Sequence, residues 1–206
     1  MADTGGFPIP ADSRAAAVLI LFGVLDHLPS DHHAVAVSRD LDVLLLARAT
    51  TLRTHPGQVA FPGGRLDPGD DGPIGAALRE AREETGLDPA GVDVLGALDP
   101  VPLGTSGHVV TPVLGWWRDQ TPVHAVDEAE SAAVFRAPVA DLLDPMNRGV
   151  TVVRRDGEEW RSPGFVLDHP TGLPLVWGFT AMLLDGLFTR LGWTEPWDRT
   201  RELPIL

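Results

Sequence analysis

Glu80, Glu83 and Glu84 stand three and four residues apart, so on a helix of about 3.6 residues per turn their carboxylates share one side. Like charges at that spacing repel, destabilising a bare helix by roughly 0.2–0.5 kcal/mol per pair. Arg79 and Arg82 relieve part of that repulsion. Taken alone, such a helix is a solvated acidic face more often than a metal site. The residues just upstream change the weight. Phe61-Pro62-Gly63-Gly64 forms a glycine-rich loop, where backbone can approach phosphate closely. Hard cations such as Mg²⁺ or Mn²⁺ bind through carboxylate oxygens together with substrate phosphates. Loop and helix together suit metal-assisted chemistry on a phosphorylated substrate.

The helix that must carry the glutamates has clear limits. Asp71 or Gly72 can cap it, Pro73 suits its first turn and Gly86 stops it. Ile74, Ala77, Leu78 and Ala81 fall on one stripe at helical spacing, facing a core. Buried strands are expected at 16–25 and 41–47, with further strands at 92–98, 109–117 and 132–135. Residues 50–62 read as loop. A short helix is expected at 138–143, a hairpin around Asp156-Gly157, and a last helix at 177–191, carrying Phe179, Leu183 and Leu187. The tail from Gly192 is expected to wrap the surface. Residues 1–13 read as a loose N-terminal segment, followed by one domain over 14–206 that mixes strands and helices.

Composition narrows the partners. The chain has 206 residues, 44% hydrophobic and 22% charged, enough to bury a core without staples. There is no cysteine, hence no disulfide and no thiol nucleophile. The apolar run 15–25 is too short to span a bilayer and lacks a basic leader, so no membrane partner is expected and a cytoplasmic location follows by default. Net charge is −13 and every basic residue is an arginine. Such a surface disfavours general nucleic-acid binding. An anionic small substrate would need divalent metal and a few placed arginines. No nucleophile-elbow or Walker motif occurs, so Ser/His/Asp catalysis has no support.

Arg79-Glu80-Ala81-Arg82-Glu83-Glu84-Thr85-Gly86-Leu87 resembles the second half of the Nudix hydrolase signature. The first half departs from it. The loop after Gly64 is one residue longer, and an aspartate, Asp70 or Asp71, stands where the family has glutamate. Leu44, Leu45, Arg48, Ala49, Arg53, Gly57 and Phe61 to Gly64 fall at the spacing of the coenzyme A-hydrolysing branch, with Leu46 where that pattern has threonine. The run from His55 to Phe61, the segment Thr105 to Val113 and the segment Val176 to Ala181 are similar to the same branch.

The resemblance implies an α/β fold, an α/β/α sandwich around a mixed sheet. It also implies hydrolysis of a nucleoside diphosphate linked to a second group. For coenzyme A or acyl-CoA the products would be adenosine 3′,5′-bisphosphate and (acyl-)4′-phosphopantetheine. ADP-ribose or NADH is the alternative substrate, and a non-catalytic nucleotide-binding module is disfavoured by the intact glutamates. Glu80, Glu83 and Glu84 would hold Mg²⁺ or Mn²⁺, with Arg79 structural. Glu130, preferred over Glu128, is the expected further acid and general base, acting with Glu80 and Glu84. Arg53 is the first candidate for a substrate phosphate, followed by Arg48 and His108, with Gly63 and Gly64 offering backbone. Trp177 is expected to pack in the core or against a second copy in a homodimer.

Overall fold

The computed structural model of the protein describes residues 13–24, 30–52, 56–103, 107–155, 157–167 and 175–205. Arg53, His55, Thr105, Ser106, Asp156 and nearly all of the N-terminal segment lie outside them.

β1 (Arg14–Val24) is the spine of the larger sheet. Its apolar residues alternate between two cores. Ala17, Leu19 and Leu21 face one cluster, while Ile20 and Phe22 face the other, as the two-residue period of a strand requires. On one side β1 pairs antiparallel with β2 (Leu41–Arg48). On the other it pairs parallel with β7 (His108–Trp117), making the sheet mixed. β2 also pairs antiparallel with β3 (Val59–Ala60) and with β8 (Ser131–Pro138). β7 carries β5 (Val92–Ala97) and the short β6 (Val101–Leu103).

The run Phe61 to Gly64, expected as loop, contributes a strand. β4 (Gly63–Arg65) pairs antiparallel with β1, setting Gly63 opposite Val18 and Gly64 opposite Ala17. A three-residue strand with two glycines has no periodicity to betray it. Its conformation is dictated by β1, whose Leu19 N–H donates to the Pro62 carbonyl (2.8 Å).

Helix α1 (Gly72–Thr85) covers one face of this sheet. α2 (Val139–Leu143) and α3 (Gly178–Arg190) cover the other. A second sheet of four strands joins them there: β9 (Arg148–Arg155), β10 (Glu158–Val166), β11 (Leu175–Val176) and β12 (Glu202–Leu203). The expected hairpin is β9–β10. The tail does more than wrap. Glu202 and Leu203 add a parallel strand to β9, and Trp193 stacks on Phe188 (6.1 Å between centroids). The layers are those of an α/β/α sandwich, extended by the second sheet.

The stripe on α1 is shifted from the expected one. Ala76, Ala77 and Ala81 are fully buried and Ile74 is 37% exposed. Alanines let the helix backbone settle close to β1, and that closeness brings its glutamates to the edge of β4. Among the described residues no helix is long and apolar enough to cross a membrane.

Candidate active site

Three elements meet at the C-terminal half of α1. Asp71 stands at its N-cap without a side-chain cap bond, and Gly86 ends it in the left-handed conformation (φ 71°). The Gly86 N–H donates to the Arg82 carbonyl (3.0 Å). The carbonyls of Glu84 and Thr85 are taken by the segment before β8: His124 N–H donates to Thr85 O (3.0 Å) and Val126 N–H to Glu84 O (3.2 Å). Those bonds tie the acidic stretch starting at Asp127 to the end of the glutamate helix. A cleft of about 70 Å³ results, lined by Glu80, Glu83, Glu84, Asp127, Glu130 and Ser131. Glu128 does not line it.

Each glutamate sits differently. Glu84 is part-buried under β4, where the Gly63 N–H donates to its Oε2 (2.9 Å). Burial pushes its carboxyl up to about 7, and the negative charges of Glu80 and Glu130 add to the rise. The Gly63 N–H and the Arg48 guanidinium act in the opposite sense. Glu80 is part-buried, and burial raises its carboxyl too, against the pull of Arg79. Glu83 is the exposed member, 2.9 Å from Arg79 Nη1 as an i,i+4 pair.

Arg79 organises the other side. Its Nε and Nη2 grip both oxygens of Asp70 (2.8 and 3.0 Å), and Nη2 also donates to the Arg65 carbonyl (2.9 Å). Nη1 lies 3.1 Å from Glu80 Oε1. Asp70, not Asp71, is therefore the acid that the lengthened loop returns to the helix. Its carboxyl is held below the usual range by the bond from Arg79. One guanidinium spans loop, β4 and two glutamates.

The glycines explain themselves geometrically. A Cβ on Gly64 would lie 2.2 Å from Glu80 Oε1, and one on Gly63 would lie 2.4 Å from the Ala17 carbonyl oxygen. Gly64 leaves the space that the Glu80 carboxylate fills. Gly63 lets β4 press against β1 so that its N–H reaches Glu84.

Of the residues expected to act, Glu80, Glu83, Glu84 and Glu130 are brought together around the cleft. Gly63 and Gly64 border it through Glu84 and Glu80. Arg48, at the end of β2, exerts its charge on Glu84, and its buried Nε has no hydrogen-bond partner among the described residues. His108, at the start of β7, lies opposite Arg14 and does not line the cleft. Arg53 lies outside the described residues. Asp127 was missed from sequence; it caps its own turn, its Oδ1 accepting from Ala129 N–H (2.8 Å), a pattern that reads simply as loop chemistry.

The donors here are carboxylate oxygens, the ligand type of hard divalent cations. Among the described residues no three acidic, His or Cys side chains are drawn around one point. Protein partners hold them apart: Glu84 takes the Gly63 N–H, while Glu80 and Glu83 face Arg79. Three features nevertheless fit a cation beside a phosphorylated ligand. They are the space kept for Glu80 at Gly64, a part-buried carboxyl crowded by like charge, and an Arg48 Nε donor without a partner among the described residues.

Residues 30–156 match the NUDIX domain family model. The chain is 43% identical to the uncharacterised Nudix hydrolase NudL of Cronobacter sakazakii, over 73% of this chain and 75% of that protein. Identity to its namesake from Escherichia fergusonii is 40% over the same shares. The crystal structure of a MutT/nudix family protein from Enterococcus faecalis shares the fold, with a TM-score of 0.52 at 17% identity, covering 90% of this chain and 64% of that one. The chain belongs to the Nudix hydrolases, pyrophosphohydrolases that cleave phosphoanhydride bonds of nucleoside diphosphate derivatives and generally need divalent cations.

Two predictions follow from this geometry. Gly64→Ala meets only the flexible end of Glu80, whereas Gly63→Ala meets backbone. Gly64→Ala should keep its melting temperature within a few degrees while kcat/KM falls about tenfold or more. Gly63→Ala should lose about 1–3 kcal/mol in denaturant titration. A stable, fully active Gly63→Ala would contradict the packing described.

The second concerns Glu84 in chelator. Its folded carboxyl titrates at about 7, above the ordinary 4.5, so between those values the folded state binds more protons than the unfolded. Its contribution to stability therefore falls as pH rises from 4.5 to 7 and levels off above. Arg48, Glu80 and Glu130 are the charged groups acting on it. Glu84→Gln should flatten that part of the profile of melting temperature against pH. An unchanged slope would show that Glu84 ionises freely.

Proposed function

We propose that the chain is a coenzyme A or acyl-CoA pyrophosphatase, acting with Mg²⁺ or Mn²⁺ at Glu80, Glu83 and Glu84. The observation that carries the hydrolytic part is the Gly63 N–H bonded to part-buried Glu84 beside Glu80 and Glu130. Support for coenzyme A comes from the sequence. Leu46 apart, the pattern from Leu44 to Gly64 resembles that of the coenzyme A-hydrolysing branch, and it supplies both Arg48 near Glu84 and the start of the β4 strand.

When bound, a divalent cation supplies neutralisation of the diphosphate oxygens and activation of water. The chain's own groups do the rest. Glu80 and Glu84, with Glu83 at the exposed edge, provide the oxygens. Arg79 fixes the helix against the Asp70 loop, so the acids do not drift as charge develops. Glu130 accepts the proton of the attacking water. Arg48, with its free Nε, and Arg53 grip the diphosphate, and arginine suits this because its fork matches phosphate oxygens. Water adds to one phosphorus, the bridging P–O bond breaks, and its oxygen leaves on the other phosphate. From coenzyme A this gives adenosine 3′,5′-bisphosphate and 4′-phosphopantetheine.

Coenzyme A, ADP-ribose, NADH and diadenosine tetraphosphate, assayed with Mg²⁺, with Mn²⁺ and with chelator, test this directly. Coenzyme A should give the highest kcat/KM, and chelator should abolish turnover. Glu84→Gln should lower kcat at least about 100-fold with its fold intact by circular dichroism. Preference for ADP-ribose or NADH would overturn the substrate and leave the hydrolase; full activity of Glu84→Gln would overturn the ligand set.

A further inference from the structure

In a chain whose net charge is −13, the small sheet and the tail gather arginines on the side of the large sheet away from α1. Arg148 opens β9 and is fully buried, an unusual place for a guanidinium. Its head is held against two rings, Phe165 (4.9 Å to the centroid) and Trp197 (4.6 Å). Nη2 donates to Asp185 of α3, while Nε and Nη1 are buried with no hydrogen-bond partner among the described residues. The indole Nε1 of Trp197 is left in the same condition. Buried donors without acceptors are costly, most of all charged ones. The cluster is short of acceptor atoms.

The tail adds a second cation to the first. Asp198 Oδ1 accepts from the Thr200 N–H (2.8 Å) and hydroxyl (2.6 Å), which turns the chain at Arg199. That turn lays the Arg199 guanidinium over Trp197 (4.9 Å), and its charge bears unfavourably on Arg148. Two guanidiniums therefore gather on one indole although like charges repel. Beside them opens a pocket of about 250 Å³, lined by Arg161, Ser162, Pro163, Asp185, Trp197 and Arg199. Its charges do not balance. Asp185 is taken by Arg148, and Arg161 shares Glu159 and Glu202 with Arg154. Arg199 has no ion pair among the described residues.

The lining says what would fit. Arg161 and Arg199 offer forked donors, whose geometry matches phosphate oxygens. The indole is already engaged by two guanidiniums and offers a base a poor platform. The volume is below the about 300–1,000 Å³ of pockets for drug-sized ligands, so the occupant is a phosphoryl group with little attached. We propose that this pocket is a second anion site, separate from the glutamate cleft, which takes inorganic phosphate or a small phosphomonoester between Arg161 and Arg199. The anion brings the negative charge and the acceptor oxygens that the stacked guanidiniums lack. This site is independent of which diphosphate the cleft hydrolyses.

NMR titration of the ¹⁵N-labelled full chain, in chelator and at constant ionic strength, reads the site through the Trp197 indole N–H, assigned with Trp197→Phe. Inorganic phosphate should shift that signal saturably, with a Kd of about 1 mM or tighter. Glycerol 3-phosphate is the arm that separates the sources: saturation by both assigns the site to the phosphoryl group whatever carries it, and by phosphate alone to the free ion. Acetate at the same concentrations should leave the signal in place. Arg199→Gln, which alters an exposed side chain, should weaken binding at least about tenfold while the melting curve is kept. Arg161→Gln should act alike, and Arg199→Lys should recover only part, since charge returns without the fork. A shift that never saturates, or that acetate reproduces, would overturn the site. So would loss of the titration in Arg48→Gln with Arg199→Gln unaffected, which would place the phosphate at the glutamate cleft.

Discussion

A carboxylate held under a glycine strand beside other carboxylates is the constraint around which the molecule is arranged. Glu84 is part-buried, its carboxyl is pushed up by desolvation and by Glu80 and Glu130, and its direct partner among the described residues is the N–H of Gly63. A site of that kind is unfavourable for folding alone, since buried like charge is costly without compensation. It persists because surrounding structure over-determines it. The alanine face of α1 seats the helix close to β1. β1 fixes β4 by register. Arg79 closes the loop back on the helix through Asp70.

The same constraint rationalises a strongly acidic chain acting on an anionic substrate. With a net charge of −13, attraction cannot come from the overall field. It has to be local: oxygen ligands for a cation, and an arginine such as Arg48, whose Nε has no hydrogen-bond partner among the described residues. The large sheet separates two cores by strand parity. Ala17, Leu19 and Leu21 of β1 face the α1 side, while Ile20 and Phe22 face the α3 side.

Much of this was legible in the residues. Helix α1, its Pro73 start and its Gly86 stop follow from local chemistry that tertiary structure did not override. The juxtaposition of Glu130 with the glutamates was expected only from resemblance, because residues fifty positions apart meet through the bonds from His124 and Val126. β4 was illegible: two glycines carry no pattern, and their pairing belongs to β1. Ile74 misled because periodicity favours the largest apolar side chain, whereas close helix-on-sheet packing favoured Ala76. Asp70 and Asp71 were indistinguishable by counting, and only the reach of Arg79 separates them.

The most direct test is anomalous diffraction from crystals soaked in manganese. A peak within coordination distance of Glu80 and Glu84, beside the Gly63 backbone, is the expected result. Manganese located elsewhere on the chain, in crystals whose protein still hydrolyses its substrate only when the ion is supplied, would contradict the assignment of the cation to this helix.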